Sequence, residues 1–161
     1  MIKPFFTNIL VAINGSEASI SAAKYAIIMA RSYRCKLTAV YVVDTASIRQ
    51  LALSRIFIPE ESQEYERNLQ GDGDKYLAFV EELALAKGLK IEKEIRQGAV
   101  YSEILAAADE KKTDLIILGG WEKDLSSRDT LSNTHKEIMS NAKCSVLLAK
   151  EPYIDRIYKM A

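Results

Sequence analysis

The run Asn8-Ile9-Leu10-Val11-Ala12-Ile13 is short and apolar, and it is closed at once by Asn14-Gly15-Ser16. Its length and β-branched content favour a buried strand over a helix. Ser16 can then cap a helix from Glu17 to about Tyr33, in which Ile20, Ala23, Ile27 and Ala30 recur at helical spacing and make one apolar face. A buried strand followed by an amphipathic helix is the first half of a βαβ unit, and the rest of the chain repeats the alternation.

A second strand is expected at Leu37 to Val43 and a helix from about Gly73 to Lys87, with Tyr76, Val80, Leu83 and Lys87 in register and Gly88 placed to stop it. Lys90 to Arg96 reads as a third strand whose alternation with charge suits an edge position. Gly98 ends it, and Val100, Ile104, Leu105 and Ala108 mark a helix to about Lys112. The fourth strand is Asp114 to Leu118, closed by Gly119-Gly120. A polar loop from Trp121 to Thr130 leads into a helix from Leu131 to Ala142, and Ser145 to Ala149 is the fifth strand. Strands separated by helices of this length require right-handed crossovers, so the fold class is α/β, a doubly wound five-stranded parallel sheet with helices on both faces. Ligands of such sheets bind beyond the carboxyl ends of the strands where the chain order reverses, which points to Asn14-Gly15-Ser16 and to the loop that starts at Gly119.

Residues 1–150 make the domain and residues 151–161 a tail. In the tail, Tyr153, Ile154, Ile157 and Tyr158 are spaced for a short docked helix, and a frayed end is the other reading. Asp44 to Asp72 is long for a connection. Its Ile56-Phe57-Ile58-Pro59 cluster fits an ordered excursion, and the plainer reading is an extended first part of the second helix.

Composition narrows the function. The 161 residues include 22 Lys plus Arg against 22 Asp plus Glu, so there is no net field to hold a phosphate backbone and nucleic acid is not the expected ligand. No stretch is long and apolar enough for a membrane span or a signal-peptide core, and the chain reads as cytoplasmic. Cys35 and Cys144 lie far apart beside apolar runs and read as inert buried thiols. His135 is the only histidine, has no partner at ligand spacing, and reads as a solvated or capping side chain; no metal site is expected. Ser16 and Ser132 sit at helix starts, where capping explains both. Trp121 could stack on a base or fill a partner's pocket, or it could simply cover the sheet end. A phospho-accepting receiver domain would need an acidic cluster after the first strand and an Asp closing the third, where this chain has Asn14 and Arg96-Gln97. No catalytic centre is expected.

Two segments carry a resemblance. Val11-Ala12-Ile13-Asn14-Gly15-Ser16, and Asp114-Leu115-Ile116-Ile117-Leu118-Gly119 followed after a loop and a helix by Ala142-Lys143-Cys144-Ser145-Val146-Leu147-Leu148, resemble the signatures of the universal stress protein family. The likeness spans residues 5 to 150. It implies strand order 3-2-1-4-5 and a homodimer made by pairing the fifth strands, through Val146, Leu147, Leu148 and Ala149. Those residues would form an exposed apolar edge in a monomer. It also implies two kinds of member, those that bind ATP and those that do not.

In binding members the loop after the fourth strand carries Gly, two residues, Gly, nine residues, then Gly with Ser or Thr. Glycines there would let amides approach phosphates and take positive φ. Here the first glycine is Gly119, but the next two positions are Glu122 and Ser132, the latter followed by Asn133. Where a left-handed backbone is needed, a side chain costs roughly 1 to 2 kcal/mol. Glu122 weighs more: two unit charges about 6 Å apart repel by on the order of 3 kcal/mol at a dielectric near 20. That is about a hundredfold in affinity. Glu122, Asp124 and Asp129 also outnumber Lys123 and Arg128 in the loop. Asn14 stands where the family usually has Asp, keeping an acceptor and losing a charge that could help hold a metal ion.

If nucleotide binding is retained, the resemblance assigns it to Asn14, Gly15, Ser16, Val42, Gly119, Gly120, Lys123, Ser132, Asn133 and Thr134. The expected function is therefore a non-enzymatic stress-response module, a homodimer acting through an unknown protein partner with no tight ATP binding. The alternative is a switch that binds ATP or AMP with Mg.

Overall fold

The computed structural model describes residues 4–56, 58–120 and 132–161. Five strands, β1 (Asn8–Ile13), β2 (Lys36–Val43), β3 (Glu92–Gln97), β4 (Leu115–Gly119) and β5 (Ser145–Ala149), form one sheet in the order β3-β2-β1-β4-β5. All pairings are parallel, with Val11 opposite both Ala39 and Ile117, and Ile117 opposite Leu147. The helices among the described residues are α1 (Glu17–Tyr33), α2 (Thr45–Leu53), α3 (Pro59–Leu85), α4 (Val100–Glu110), α5 (Asn133–Asn141) and α6 (Ile154–Met160).

The two-residue period of the strands sorts their side chains onto two faces. Ile9, Val11 and Ile13 pack with Ala22, Ala23, Ala26, Ile27 and Ala30 of α1 and with Leu77, Val80 and Ala84 of α3. Leu10, Val40, Ile116 and Leu118 face Ile104, Ala107 and Ala108 of α4 and Ile138 of α5. Leu10 has no exposed surface, so truncating it to Ala costs about 2 to 5 kcal/mol. β3 is an edge strand with no buried residue, which is why its sequence could keep its charges.

Several boundaries differ from the sequence expectation for identifiable reasons. Asp114 is not in β4; its carboxylate accepts hydrogen bonds from the Thr7 amide and hydroxyl and from the Asn8 amide, clamping the start of β1. β3 starts at Glu92, two residues later than Lys90. The helix expected from Gly73 begins at Pro59, and a separate short helix, α2, precedes it. Its buried stripe is Gly73, Leu77, Val80 and Ala84, with Tyr76 half-buried and Lys87 beyond the helix end. The helix expected from Leu131 is described from Asn133, and Leu131 lies outside the described residues.

The tail forms α6. Ile154 is buried, Lys24 pairs with Asp155 at 2.6 Å, and the Tyr158 hydroxyl donates to the Leu83 carbonyl at 2.6 Å. Lys87 Nζ lies 4.6 Å from the centre of the Tyr158 ring, a cation–π contact that holds the same ring from above. At the other edge of the sheet, β5 corrects one expectation. Val146, Leu147 and Leu148 are half-buried and Ala149 is buried, because helices already cover both faces of the strand. Among the described residues, what β5 leaves open is its backbone edge, not an apolar face.

Candidate functional site at the strand ends

Chain order reverses between β1 and β4, and the cleft lies where a parallel sheet places it, beyond their carboxyl ends. Asn14, Ser16, Val42, Gly119, Gly120 and Thr134 all line it, so six of the expected residues converge. Gly15 points elsewhere, Asn133 is exposed at the start of α5, and Ser132 caps that helix. Lys123, with Trp121 and Glu122, lies outside the described residues.

The turn after β1 is tied up in its own hydrogen bonds. Asn14 Oδ1 accepts from the Ser16 amide at 3.0 Å and from the Ser16 hydroxyl at 2.6 Å. Ser16 Oγ accepts from the Ser19 amide at 3.1 Å, capping α1, and Ser19 Oγ donates to the Ser16 carbonyl at 2.9 Å. Such a network satisfies donors that the first turn of a helix otherwise leaves open. Gly15 has φ +82°, and a Cβ there would lie 2.5 Å from Cε2 of Tyr76, so both its conformation and its space exclude a side chain.

Gly119 and Gly120 each have a packing reason to be glycine, beside the phosphate-loop position the resemblance gives Gly119. Neither has positive φ. A Cβ on Gly119 would sit 2.7 Å from the carbonyl carbon and 2.8 Å from the oxygen of Ala18, and one on Gly120 would sit 3.0 Å from the Ala149 oxygen. The end of β4 is pressed against the first turn of α1 and the end of β5. Ser132 likewise needs no glycine: its φ is −63°, and its hydroxyl accepts from the His135 amide at 3.1 Å and contacts His135 Nδ1. The steric penalty expected for a side chain at that position therefore does not arise. Ser16 and Ser132 cap their helices as expected, whereas His135, expected to be solvated or capping, is half-buried, lines the cleft and meets the Ser132 hydroxyl with its ring.

Sequence reasoning missed the remaining wall. Val100 and Ile104 of α4, Ala18 and Ser19 of α1, and Ile138 of α5 line the same cleft. A signal was available, since each helix that follows a strand of a parallel sheet starts at the carboxyl edge and must place its first apolar residues there. α4 is braced against β3 by Arg96, whose guanidinium meets Glu94 at 2.8 Å, Glu103 at 3.2 Å and Glu110 at 2.9 Å. The hydrogen bond to Glu110 is the largest of the effects that push Arg96 above its ordinary pKa, and the same bond pulls Glu110 below the usual carboxylate range.

Cys35 is buried and donates to the Phe6 carbonyl, Cys144 is half-buried, and burial pushes both thiols up, so neither is an activated nucleophile.

A turn of this kind after β1, a glycine pair after β4 and the order β3-β2-β1-β4-β5 define a narrow class. The model of the universal stress protein family matches residues 5–150. The chain belongs to that family. It is 31% identical over 149 residues to universal stress protein MJ0531 of Methanocaldococcus jannaschii, covering 91% of this chain and 84% of that one. Among solved universal stress proteins, UspA from Lactobacillus plantarum has the same fold, with a TM-score of 0.76 at 23% identity, over 92% of this chain and all of that one (100%). An Arabidopsis thaliana universal stress protein family protein, solved with AMP bound, has a TM-score of 0.64 at 17% identity, over 92% and 94% of the two chains.

Proposed function

We propose that this universal stress protein is a non-enzymatic stress-response module, working as a homodimer through β5 and an unidentified protein partner, without tight ATP binding. The observation that carries this reading is the packing of Gly119 and Gly120. Their missing side chains make room for Ala18, Ser19, Ala149 and Lys150, with ordinary backbone angles, rather than shaping a cradle for phosphate. Asn14 adds to it, because its oxygen is already held by Ser16 from two sides. Glu122 and the acidic balance of the loop add charge of the wrong sign for a triphosphate. The non-enzymatic part rests on the duties of the serines around the cleft: Ser16 and Ser132 cap helices, and Ser19 donates to the Ser16 carbonyl. The dimer rests on the open backbone edge of β5, a feature proteins normally cover or pair.

A second reading, a switch that binds ATP or AMP with Mg, is favoured by one observation: Val42 and Thr134 line one cleft in a fold whose Arabidopsis thaliana member was solved with AMP bound. Thermal unfolding with Mg-ATP and, separately, AMP distinguishes them. A ligand present at a hundred times its dissociation constant adds about 2.7 kcal/mol of stability. The proposed reading expects no rise in midpoint with about 1 mM Mg-ATP, a concentration that would report any affinity tighter than about −4 kcal/mol. A saturable rise below that concentration contradicts it.

A further inference from the structure

Residues 45–72 leave the sheet. At about 1.5 Å per residue α3 is roughly 40 Å long, yet its fully buried residues, Gly73, Leu77, Val80 and Ala84, all lie in its second half. Pro59 to Asn68 contain no buried residue and none of the side chains that pack on the core, a stretch of about 15 Å. α2 runs beside this stretch and is anchored by one buried side chain, Ile48, and by the Asp44 cap. The turn between the helices is shaped by Arg55 in a left-handed conformation, with the Ile56 amide bonded to the Leu51 carbonyl. Its tip is apolar and wet: Leu53 is 79% exposed, Ile56 62% and Ile58 56%. A connection from β2 to β3 needs one helix, so this hairpin is more than the crossover requires.

The charges around the tip say what covers it. Arg49 and Arg55 flank the ridge on the α2 side, and Glu60, Glu61 and Glu64 on the α3 side; all five are exposed. None of the five has an ion pair among the described residues. A partner of one sign, such as nucleic acid or an anionic membrane, would match half of this pattern and oppose the other half. A copy of the same hairpin turned by a two-fold axis through the ridge matches all of it, arginines on glutamates and apolar tip on apolar tip.

We infer that the α2–α3 hairpin is a homotypic docking surface that receives the same hairpin of a second copy of this chain. The surface is separate from the β5 edge, since α3 packs on β2 and β3 at the far side of the sheet. The area is small, so the contact is weak and shows at high protein concentration.

Sedimentation velocity of the full chain, from about 1 µM to 1 mM, tests it. Wild type is expected to show one more association step than Ile56→Glu, whatever state the β5 edge sets, with that step weakened at least about tenfold in the variant. Two charge variants guard against a folding artefact. Arg49→Glu with Arg55→Glu makes the charges of residues 49–64 wholly acidic, and Glu60→Arg, Glu61→Arg and Glu64→Arg together make them wholly basic. Each alone should lose the step, and an equimolar mixture should recover it. Identical sedimentation of wild type and Ile56→Glu across the range overturns the inference, as does a mixture that fails to recover. Flotation of wild type, but not Ile56→Glu, with phosphatidylserine vesicles would assign the ridge to a membrane and overturn it too.

Discussion

Gly119→Ala separates two explanations of the same glycine. If Gly119 is there to present its amide to a phosphate, a methyl group costs the nucleotide-free protein little. If it is there because β4 and α1 touch, the cost appears with no nucleotide present. The added Cβ would lie 2.7 Å and 2.8 Å from the Ala18 carbonyl atoms and 3.0 Å from the Ser19 nitrogen, where ordinary contacts begin near 3.4 Å. The strand end and the helix start would have to part by about 0.7 Å at closest contact. Neither yields easily: β4 is paired on both sides, and the first turn of α1 is pinned by the Ser16–Ser19 hydrogen bonds. Overpacking costs about 1 to 3 kcal/mol when side chains can adjust, and here the neighbours are backbone, so about 3 kcal/mol is expected. In a domain of this size that lowers the melting midpoint by roughly 6 to 12 °C. Urea unfolding without nucleotide measures it, with the slope unchanged. Gly71→Ala is the control: a Cβ there meets nothing within 4 Å and α3 should gain about 0.5 to 1 kcal/mol. A loss below about 0.5 kcal/mol for Gly119→Ala would refute the packing argument.

Other perturbations test neighbouring parts. Asn14→Ala removes an acceptor from both Ser16 donors and should cost about 1 kcal/mol, whereas Asn14→Asp keeps the acceptor, adds charge at the start of α1 and should be neutral or stabilising by a few tenths, both read by urea unfolding. Arg55→Gly relieves a left-handed φ of 58° and should raise stability by about 1 kcal/mol; a loss would mean that the side chain makes a contact worth more than the strain. The carboxyls of Glu92, Glu110 and Asp155 are lowered, each chiefly by a hydrogen bond from Lys111, Arg96 or Lys24 respectively. A lowered folded pKa gives stability that is present above the ordinary values of 4.5 for Glu and 3.8 for Asp, and it is lost as pH falls through the folded values. Melting midpoints should therefore fall on acidification in that window, less steeply in Asp155→Asn, and a flat profile would contradict the assignment.

The sheet was legible because buried parallel strands leave a strong mark: short runs such as Ile9 to Ile13 and Leu115 to Leu118 that cannot face water on either side. α1 was legible to the residue because Ser16 caps it and alanines line its buried stripe. α2 was not, since its apolar period is one turn long, Ile48, Leu51 and Ala52, too short to stand out. The first half of α3 was legible as the plainer reading of residues 44–72, an extension of the second helix, and Pro59 at its first position followed by Glu60 and Glu61 marks where that extension starts. In the cleft, pattern located the residues but not the contacts that keep side chains off the glycines. Spacing cannot tell a glycine that makes room for phosphate from one that makes room for Ala18, because the neighbour that decides it is about a hundred residues away in sequence. The clamp of Asp114 on Thr7 was unreadable on the same grounds.

The most direct measurement is of what the protein carries when it is made. Purified without added nucleotide, denatured, and resolved by anion-exchange chromatography with absorbance detection, it should release adenine nucleotide far below one equivalent per chain. A yield near one ATP per chain would mean that the strand-end cleft binds a triphosphate tightly despite its committed glycines and its acidic loop, and would contradict the account.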